Sequence, residues 1–491
     1  MCAVPVTSPA PSPSVPTARR RLGYWTRLLP PLAALACVTR VPSFLHPLWS
    51  PDEGYLAVQA RILAHGGALY ETVVDRKPPL VPWLYQGAFA LTGSDSLTCV
   101  RILAVLAHLL TAVLLASLAR RRWGDRAGAT AGVLYLLVSV GVNPEDAQAA
   151  GFEVFILPCT AAALRCADRR QWTTAGLAVA AAFLTKQTGG AVLLPVLWLW
   201  HRSSRPADRR GLLALGAGAV LPVLGVALAT DPRGFLFWTV TGSGAYASFT
   251  GSELHVLARA LGNALILAAA CAGLLPPLLR AARSTRIGTD LWLWLAASAA
   301  AVCTGFHFFG HYYLQLLPPL ALLATAALHA RAPARPRELA LLTSACCCAL
   351  FLTWGLLAPR PELAHAQRLA DATARHSRPG EPVLIWGMHP ETYWLADRAP
   401  ASRYLTAGLL TNYSGGRDGP QVGEKYAVPG TPAVFRAEMA ARAPALIVDD
   451  SRGKPYAPHR VPTLRRLLAA HYREVGRIDG AVLYARTSRT P

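Results

Sequence analysis

Charge is the property that this sequence has least of. Asp, Glu, Lys and Arg make up only 15% of its 491 residues, whereas soluble proteins average about 25%. Hydrophobic residues make up 53%, and several runs almost free of charge approach the roughly 20 residues needed to cross a bilayer. Those runs are residues 127–142, 212–230, 291–306 and 339–358. The composition excludes an ordinary soluble protein and predicts a polytopic membrane protein.

Acidic residues are scarcer than basic ones. The chain has 27 Asp and Glu against 48 Lys and Arg, which gives a formal charge of +21. Such an excess could indicate nucleic-acid binding, but here the basic residues form short clusters between the apolar runs. The clusters are residues 19–21, 120–122, 169–170, 202–210, 280–286 and 331–337. Clusters of this kind mark the cytoplasmic side of a membrane protein, so we expect a lipid bilayer and no nucleic acid as partner.

The ten cysteines have no spacing typical of a disulfide framework or a zinc site. All except Cys2 lie in or beside apolar segments, and none follows Cys348. We therefore predict that they serve as small apolar side chains within helices.

Placing every basic cluster on one side of the membrane fixes a topology. It requires about eleven transmembrane helices, a cytoplasmic N-terminus and a C-terminus outside the cytoplasm. Residues 1–22 then form a disordered, basic N-terminus, and residues 23–358 form the transmembrane domain. Within it, residues 46–97 form an outer loop with two short apolar pieces, which we interpret as interfacial helices.

The composition changes after Pro359. The segments EPVLIWGM at 381, ALIVDD at 445 and AVLYAR at 481 are typical of short buried strands. Helices are predicted between them, over residues 431–443 and 462–471. Residues 359–491 are therefore predicted to form a small extracytoplasmic α/β domain.

The outer loop begins with the sequence Ser50-Pro51-Asp52-Glu53. Ser is a good N-cap, Pro is favoured at the first helical position, and Glu three residues after the Ser can complete a capping box. The helix dipole favours both carboxylates at this N-terminus. Asp52 and Glu53 are then a cap alone, or a cap that also acts on a substrate, with Glu53 the better fit to a purely capping role.

Other ionisable and aromatic residues gather at the predicted outer ends of the helices. Carboxylates at membrane depth are costly and are usually functional or paired. The group consists of Asp75, Arg76, Lys77, Glu145, Asp146, Glu153, Lys186, Gln187, Arg233, His307, His311, Tyr312 and Tyr313.

Several of these residues have a structural alternative to a role in a site. Glu145 and Asp146 follow a proline and fit a solvated turn, and Glu153 could be a satisfied structural carboxylate. Lys77 could extend its ammonium group to the interface, and Lys186 could mark only a helix end. The segment from His311 to Tyr313 also fits an aromatic belt at the membrane interface.

Four segments occur in a fixed order: the acidic pair after the first predicted span, KPPL at 77, LTKQTGG at 184 and HYYLQLLPPLALLA at 311. This ordered set resembles the GT-C superfamily of membrane glycosyltransferases. The most similar branches are the protein O-mannosyltransferases (glycosyltransferase family 39) and the lipid A aminoarabinose transferases. The resemblance covers most of residues 24–330. It implies a GT-C-like helical fold, a polyprenyl-phosphate sugar as donor, and a glycan, lipid or protein acceptor outside the cytoplasm.

The resemblance also implies roles for individual residues. Asp52 matches the catalytic base, supported by Glu53, and Glu153 matches a second acidic position. In some members that second acid joins the first in holding a divalent metal, so Asp52 and Glu153 are the metal ligands to expect. Lys77 matches a lysine that contacts the lipid phosphate.

The sequence departs from the family pattern in two places. The second acid is Glu153 where Asp is commoner, and the Arg-Tyr pair of the later segment is replaced by His311-Tyr312 or Tyr312-Tyr313. We assign the missing phosphate-binding arginine to Arg233. Lys186 and the three residues from His311 to Tyr313 complete the expected substrate-binding set.

The predicted reaction fits these residue types. A phosphodiester leaving group needs positive charge rather than an acid, and an acceptor hydroxyl needs a base. One carboxylate base with direct displacement gives inversion at the anomeric carbon of the transferred hexose or pentose. The alternative function is a transporter or lipid flippase, in which the same residues line a substrate or proton path, although no transporter-like repeat is visible. A third is an inactive homologue whose outer domain binds a partner.

Overall fold

A computed structural model describes residues 18–203, 209–242, 249–284, 288–330 and 334–487. Residues 1–17, which make up most of the predicted disordered N-terminus, lie outside the described residues. Parts of three predicted basic clusters and residues 243–248 also lie outside them.

The described residues up to 357 are mostly helical. The first helices are α1 (Ala18–Thr39), α2 (Pro51–Ala64) and α3 (Leu80–Thr92). They are followed by α4 (Leu97–Trp123), α5 (Asp125–Val138), α6 (Pro144–Gln148), α7 (Phe152–Asp168), α8 (Trp172–Thr185), α9 (Leu193–Ser203) and α10 (Arg209–Ala229). The remaining helices are α11 (Pro232–Leu236), α12 (Glu253–Ala270), α13 (Leu275–Ala282), α14 (Thr289–Cys303), α15 (Leu317–His329) and α16 (Ala334–Leu357). Each predicted span overlaps one or two of these helices.

Among the described residues, four helical stretches are long and apolar enough to cross a membrane: α4, α10, α12 and a stretch from Arg335 to His376. Their outer faces are exposed and apolar. On α12 the exposed leucines recur at helical spacing, at Leu254, Leu257, Leu261 and Leu265. A continuous apolar face of this kind on a helix is suited to lipid. The chain is therefore a membrane protein, while the number and direction of its crossings stay a prediction.

Helix α2 begins where the sequence predicted. Ser50 is the N-cap, and its Oγ accepts a hydrogen bond from the backbone N–H of Asp52 at 3.1 Å. At the other end Gly66 adopts φ = +86°, and the N–H of Gly67 donates to the carbonyl of Ile62 at 2.9 Å. This is a Schellman cap, and it requires a residue that tolerates positive φ.

The C-terminal part contains a four-stranded sheet. The strands are β1 (Val383–Trp386), β2 (Leu446–Asp449), β3 (Tyr472–Ile478) and β4 (Ala481–Arg486). The helices are α17 (Pro361–His376), α18 (Glu391–Leu395), α19 (Gly408–Thr411), α20 (Tyr413–Gly416), α21 (Thr431–Arg442) and α22 (Pro462–His471). The sheet order is β1-β2-β4-β3, with β1 and β2 parallel and the other pairs antiparallel. The three predicted strands and both predicted helices are confirmed, whereas β3 was not predicted.

The C-terminal part packs directly on helix α2. Its residue Gly54 lies against the start of α18, where a Cβ on Gly54 would be 2.3 Å from Glu391 Cβ and 2.6 Å from Glu391 Cα. The glycine that follows the acidic pair therefore lets α18 pack directly onto α2.

Replacing Gly54 by alanine should separate these two helices. The clash involves Glu391 backbone, which cannot rotate away, and overpacking of this kind costs about 1–3 kcal/mol. We expect Gly54→Ala to lower the midpoint of thermal unfolding. Gly87→Ala in α3 is the matched control, since a Cβ there meets nothing within 4 Å and alanine favours a helix by roughly 1 kcal/mol. An unchanged or raised midpoint for Gly54→Ala would contradict the close packing.

Candidate active site

A cavity of about 540 Å³ lies between the helical part and the C-terminal part. The helical part contributes polar and aromatic residues to its wall: Asp52, Tyr55, Lys77, Lys186, Gln187 and Tyr312. The C-terminal part contributes Met388, Pro390, Thr406, Leu409 and Ser414. The cavity is mostly apolar, with a few convergent charged groups, as in ligand sites generally.

Asp52 is the accessible carboxylate at the head of α2. Its side chain is 37% exposed and has two basic groups beside one oxygen: Lys77 Nζ at 3.9 Å and His311 Nε2 at 4.0 Å from Oδ2. The predictions that Asp52, Lys77 and His311 lie near each other are therefore consistent with the geometry, although 259 positions separate Asp52 from His311 (311 − 52).

His311 is held from its other side by Asp146. The distance from His311 Nδ1 to Asp146 Oδ1 is 2.6 Å. Because an ionised carboxylate only accepts hydrogen bonds, Nδ1 is the donor, and Nε2 is directed toward Asp52. Asp146 is thus part of this cluster, and its prediction as a solvated turn residue is wrong. Its neighbour Glu145 fits that prediction better, since its side chain is 57% exposed and lies 3.8 Å from Arg360.

Glu153 is buried at the start of α7 and is already paired. Lys186, which follows α8, donates a short hydrogen bond to Glu153 Oε1. The same ammonium group lies 3.9 Å from the centre of the Tyr312 ring. Predicted Glu153, Lys186 and Tyr312 therefore form one buried unit, in which Lys186 and Tyr312 line the cavity and Glu153 lies behind them.

This pairing bears on the expected divalent metal. With Lys186 on Glu153, a cation at Asp52 and Glu153 would meet a positive charge at one of its two ligands. Among the described residues, no group of three or more His, Cys, Asp and Glu side chains is placed to hold a metal ion. The residues present do not fit a metal site, and no chemical step is derived through one.

Lys77 is positioned by the turn between α2 and α3. Its Nζ lies 3.9 Å from the centre of the Phe152 ring, and its backbone N–H donates to Asp75 Oδ1 at 3.2 Å. Asp75 also accepts a hydrogen bond from Gln59 at 3.0 Å. Burial raises the pKa of Asp75, although the charge of Lys77 and the Gln59 hydrogen bond oppose that rise. The buried carboxyl group of Asp75 therefore holds the KPPL turn in place.

Gln187, which follows Lys186 in the LTKQ segment, has a structural role of its own. Its side-chain amide donates to the carbonyl oxygens of Arg76 at 2.6 Å and Thr239 at 2.9 Å. One side chain thus ties the turn that carries Lys77 to the segment that follows α11. Gln187 was noted at the outer ends of the helices, but nothing in the sequence assigned it this bridging role.

Glu53 does not share the cavity with Asp52. Its carboxylate is fully buried and pairs with Arg101 of α4 through both oxygens, at 3.2 and 2.9 Å. It also accepts the backbone N–H groups of Trp49 at 2.8 Å and Ala150 at 2.9 Å. The predicted capping box is wrong, because Glu53 bonds Trp49 N–H rather than Ser50 N–H. Glu53 thus connects three segments of the chain, and its support of catalysis stays a prediction.

Two further predicted residues lie outside the cavity wall. Arg233 is exposed in α11, where its N–H donates to Asp231 at 3.1 Å. Tyr313 is buried, and its hydroxyl donates to the carbonyl of Ala260 at 2.9 Å. The assignment of Arg233 to the phosphate is therefore not supported by its position, whereas Arg76 does line the cavity.

Comparison with known sequences matches residues 76–229 to the family described as dolichyl-phosphate-mannose-protein mannosyltransferase. Two similar proteins, from Pseudomonas aeruginosa strains LESB58 and UCBPP-PA14, are described as undecaprenyl phosphate-alpha-4-amino-4-deoxy-L-arabinose arabinosyl transferase. Both are 31% identical, over 330 and 337 residues, which cover 60% and 62% of this chain. The match spans 58% and 59% of the two relatives, less than two thirds of their length.

Solved structures share the fold over nearly the whole chain. ArnT from Cupriavidus metallidurans in the apo state has a TM-score of 0.61 at 17% identity, covering 95% of this chain and 98% of that one. The same protein bound to undecaprenyl phosphate gives a TM-score of 0.59, covering 94% and 98%. The oligosaccharyltransferase of Archaeoglobus fulgidus gives 0.54 at 13% identity, covering 94% and 73%. The chain is therefore similar in sequence, over part of its length, to dolichyl- and undecaprenyl-phosphate glycosyltransferases, and it shares the fold of ArnT over nearly its whole length.

Proposed function

We propose that this protein transfers a sugar from a polyprenyl phosphate to an acceptor outside the cytoplasm. The observation that carries the proposal is the cavity in which Asp52 meets the ammonium group of Lys77 beside an apolar wall. A base for the acceptor and a cation for the leaving phosphate thus face one space. The names of the similar Pseudomonas proteins support undecaprenyl phosphate as the lipid carrier and a pentose as one candidate sugar.

The orientation of the protein is part of the same proposal. In the predicted topology the basic clusters lie between helices on the side of the membrane opposite Asp52, and such clusters favour the cytoplasmic side. The cavity and the C-terminal part are then extracytoplasmic. A polyprenyl chain in the outer leaflet could place its phosphate at the cavity without leaving the lipid.

The reaction we propose is a single displacement. Asp52 accepts the proton of the acceptor hydroxyl as its oxygen attacks the anomeric carbon. The bond from that carbon to the phosphate oxygen breaks, its electron pair stays on the phosphate, and polyprenyl phosphate leaves. Lys77 stabilises the charge that develops on this phosphate. Attack opposite the leaving group inverts the anomeric configuration.

The activity can be tested with the full chain in lipid nanodiscs. A panel of radiolabelled polyprenyl-phosphate pentoses and hexoses is supplied with candidate acceptors, and release of polyprenyl phosphate is measured. We expect release from at least one donor. No release from any donor, combined with movement of labelled donor between leaflets in reconstituted vesicles, would contradict the proposal and favour a flippase.

Lys77 gives a second test of this mechanism. Replacing it by glutamine removes the positive charge but keeps much of the side-chain length. Removal of one fully enclosed stabilising donor costs about 10²–10³-fold in rate. The Lys77 side chain is 25% exposed, so we expect a smaller loss, of about 10- to 100-fold.

The control for this variant is Lys425→Gln, an exposed lysine in the C-terminal part. The rate is measured at saturating donor, and donor binding is measured separately. An unchanged rate in Lys77→Gln, with the protein folded, would mean that the leaving phosphate is stabilised elsewhere.

A further inference from the structure

A second, smaller pocket of about 270 Å³ lies at the edge of the C-terminal sheet. The parallel strands β1 and β2 both end there: Met388 and His389 follow β1, and Asp450 and Ser451 follow β2. In open α/β sheets, ligands bind outside the carboxyl ends of parallel strands. The pocket therefore has the position expected of a binding site, and no step of the proposed transfer uses it.

Two buried polar groups of this pocket have spare hydrogen-bonding capacity. The Asp450 side chain is fully buried, and its Oδ1 pairs with His365 Nε2 at 2.9 Å. Asp450 Oδ2 and Ser451 Oγ have no partner at hydrogen-bond geometry among the residues that the structure describes, and the Ser451 side chain also interacts with the Asp449 carboxyl group. Leaving buried polar groups unsatisfied is unfavourable. Both can bond hydroxyl groups, the carboxylate as an acceptor and the serine as donor or acceptor.

The rest of the wall is basic and aromatic. Arg417, Arg452 and Lys454 line the pocket, and Lys454 is exposed. Arg452 bridges the acidic side chain of Glu362 at 3.1 Å and lies 3.4 Å from Asp450. The pocket lining holds three Lys or Arg and two His against two Asp, which favours an anion. Rings of Tyr413 and Tyr456, whose centres are 4.5 Å apart, form an apolar floor.

His389 adds a charge that depends on pH. Burial would lower the pKa of His389, but its hydrogen bond to Glu391 at 3.0 Å and the charges of Glu391 and Asp450 outweigh that effect and raise it. Arg452, 3.3 Å from His389 Nε2, acts in the opposite direction. The protonated imidazole adds to the positive charge of the pocket.

We propose that this pocket binds the acceptor, as a saccharide that carries a negatively charged group. Its hydroxyls bond Asp450 Oδ2 and Ser451 Oγ, and its anionic group lies against Lys454 and Arg417. Met388 belongs to the walls of both this pocket and the cavity of Asp52. A saccharide of more than one residue held here can therefore extend past Met388 toward the base. The acceptor role rests on the proposed transferase function, whereas binding itself can be tested without it.

Binding is measured by calorimetry with the full chain in nanodiscs of zwitterionic lipid and no donor present. The probes are tetragalacturonate and glucose 6-phosphate, with glucose and inorganic phosphate as controls for the sugar and the anion alone. We expect at least one acidic saccharide to bind about tenfold more tightly than either control. A difference of this size corresponds to about one additional charged contact. Failure of both acidic saccharides to bind would overturn the proposal.

Substitutions in the pocket lining test whether the saccharide binds in this pocket. Lys454→Glu should weaken binding by about tenfold or more, and Ser451→Ala should weaken it several-fold, while Lys425→Glu makes the same charge change elsewhere and should leave it unchanged. Equal binding of inorganic phosphate with no effect of Ser451→Ala would mean an anion site only and would contradict a saccharide site. Asp52→Asn should leave binding intact, so loss of transfer and loss of binding are distinguishable.

Discussion

Asp52→Asn is expected to slow the release of polyprenyl phosphate by about 10²–10⁴-fold, the range typical of a lost general base. The asparagine side chain keeps the shape of aspartate but cannot accept the proton of the acceptor hydroxyl. The N-cap of α2 is supplied by Ser50, so the helix should still form. The loss should therefore appear in the chemical step rather than in folding.

Single-turnover release from a preformed complex with donor separates that step from donor binding. Asp371→Asn is the matched control, because Asp371 is an exposed aspartate of α17 that does not line the cavity. A folded Asp52→Asn protein with a rate within about threefold of the parent would contradict a general-base role, since even a modest base contributes more than this.

The other carboxylates near the cavity are poorer candidates for the base. Glu153 is occupied by Lys186, and Asp146 is occupied by His311. Asp75 accepts two hydrogen bonds from Gln59 and the Lys77 N–H. Only Asp52, among these four, combines a place on the cavity wall with substantial exposure. Its partners at 3.9 and 4.0 Å are beyond hydrogen-bond distance, so an acceptor hydroxyl can approach.

The sequence predicted the secondary structure and the main cavity residues for clear physical reasons. Capping signals fix the ends of α2, and uncharged runs mark the helices of the bundle. Asp52, Lys77, Lys186 and Tyr312 each lie at the predicted outer end of a helix, and helices that span one bilayer bring those ends to one level. They all line the cavity, although their chemical roles remain predictions.

The sequence could not predict which side chains pair with each other when they are far apart along the chain. Nothing local shows that Asp146 meets His311, 165 positions later, or that Glu53 meets Arg101 rather than its own helix cap. Arg233 was chosen because it is basic and follows a predicted span. A position in sequence near the outer side does not determine whether a side chain faces the cavity.

In the C-terminal part, too, the exposed features could not be predicted from the sequence. The strands β1, β2 and β4 are apolar runs and were predicted, whereas β3 has the sequence YREVGRI and is exposed or half-buried after Tyr472. Charged residues on an edge strand hinder pairing with other chains, but they also remove the apolar alternation by which a strand is recognised. Docking on α2 was missed because it depends on the absence of a side chain at Gly54.

Replacing Glu53 should reduce the stability of the protein and not its catalytic rate, which is the opposite of the result expected for its neighbour Asp52. Replacing it by glutamine leaves the Arg101 guanidinium buried without a negative partner, and breaking a buried ion pair from one side costs about 3–5 kcal/mol. The pair has 0% and 4% side-chain exposure, so water cannot compensate. We expect Glu53→Gln to lower the unfolding free energy by roughly this amount, while the turnover of each folded molecule falls little.

Unfolding is followed in mild detergent against a denaturant, and turnover is divided by the folded fraction. Glu474→Gln is the matched control, because Glu474 also pairs with an arginine through both oxygens, but on the exposed strand β3. That variant should lose little stability, since exposed pairs contribute little. The double variant Glu53→Gln, Arg101→Met should recover part of the loss, because it no longer buries an uncompensated charge. A stable Glu53→Gln protein with a strongly reduced single-turnover rate would instead make Glu53 part of the chemistry, and the Arg101 pair would then serve to orient a catalytic carboxylate.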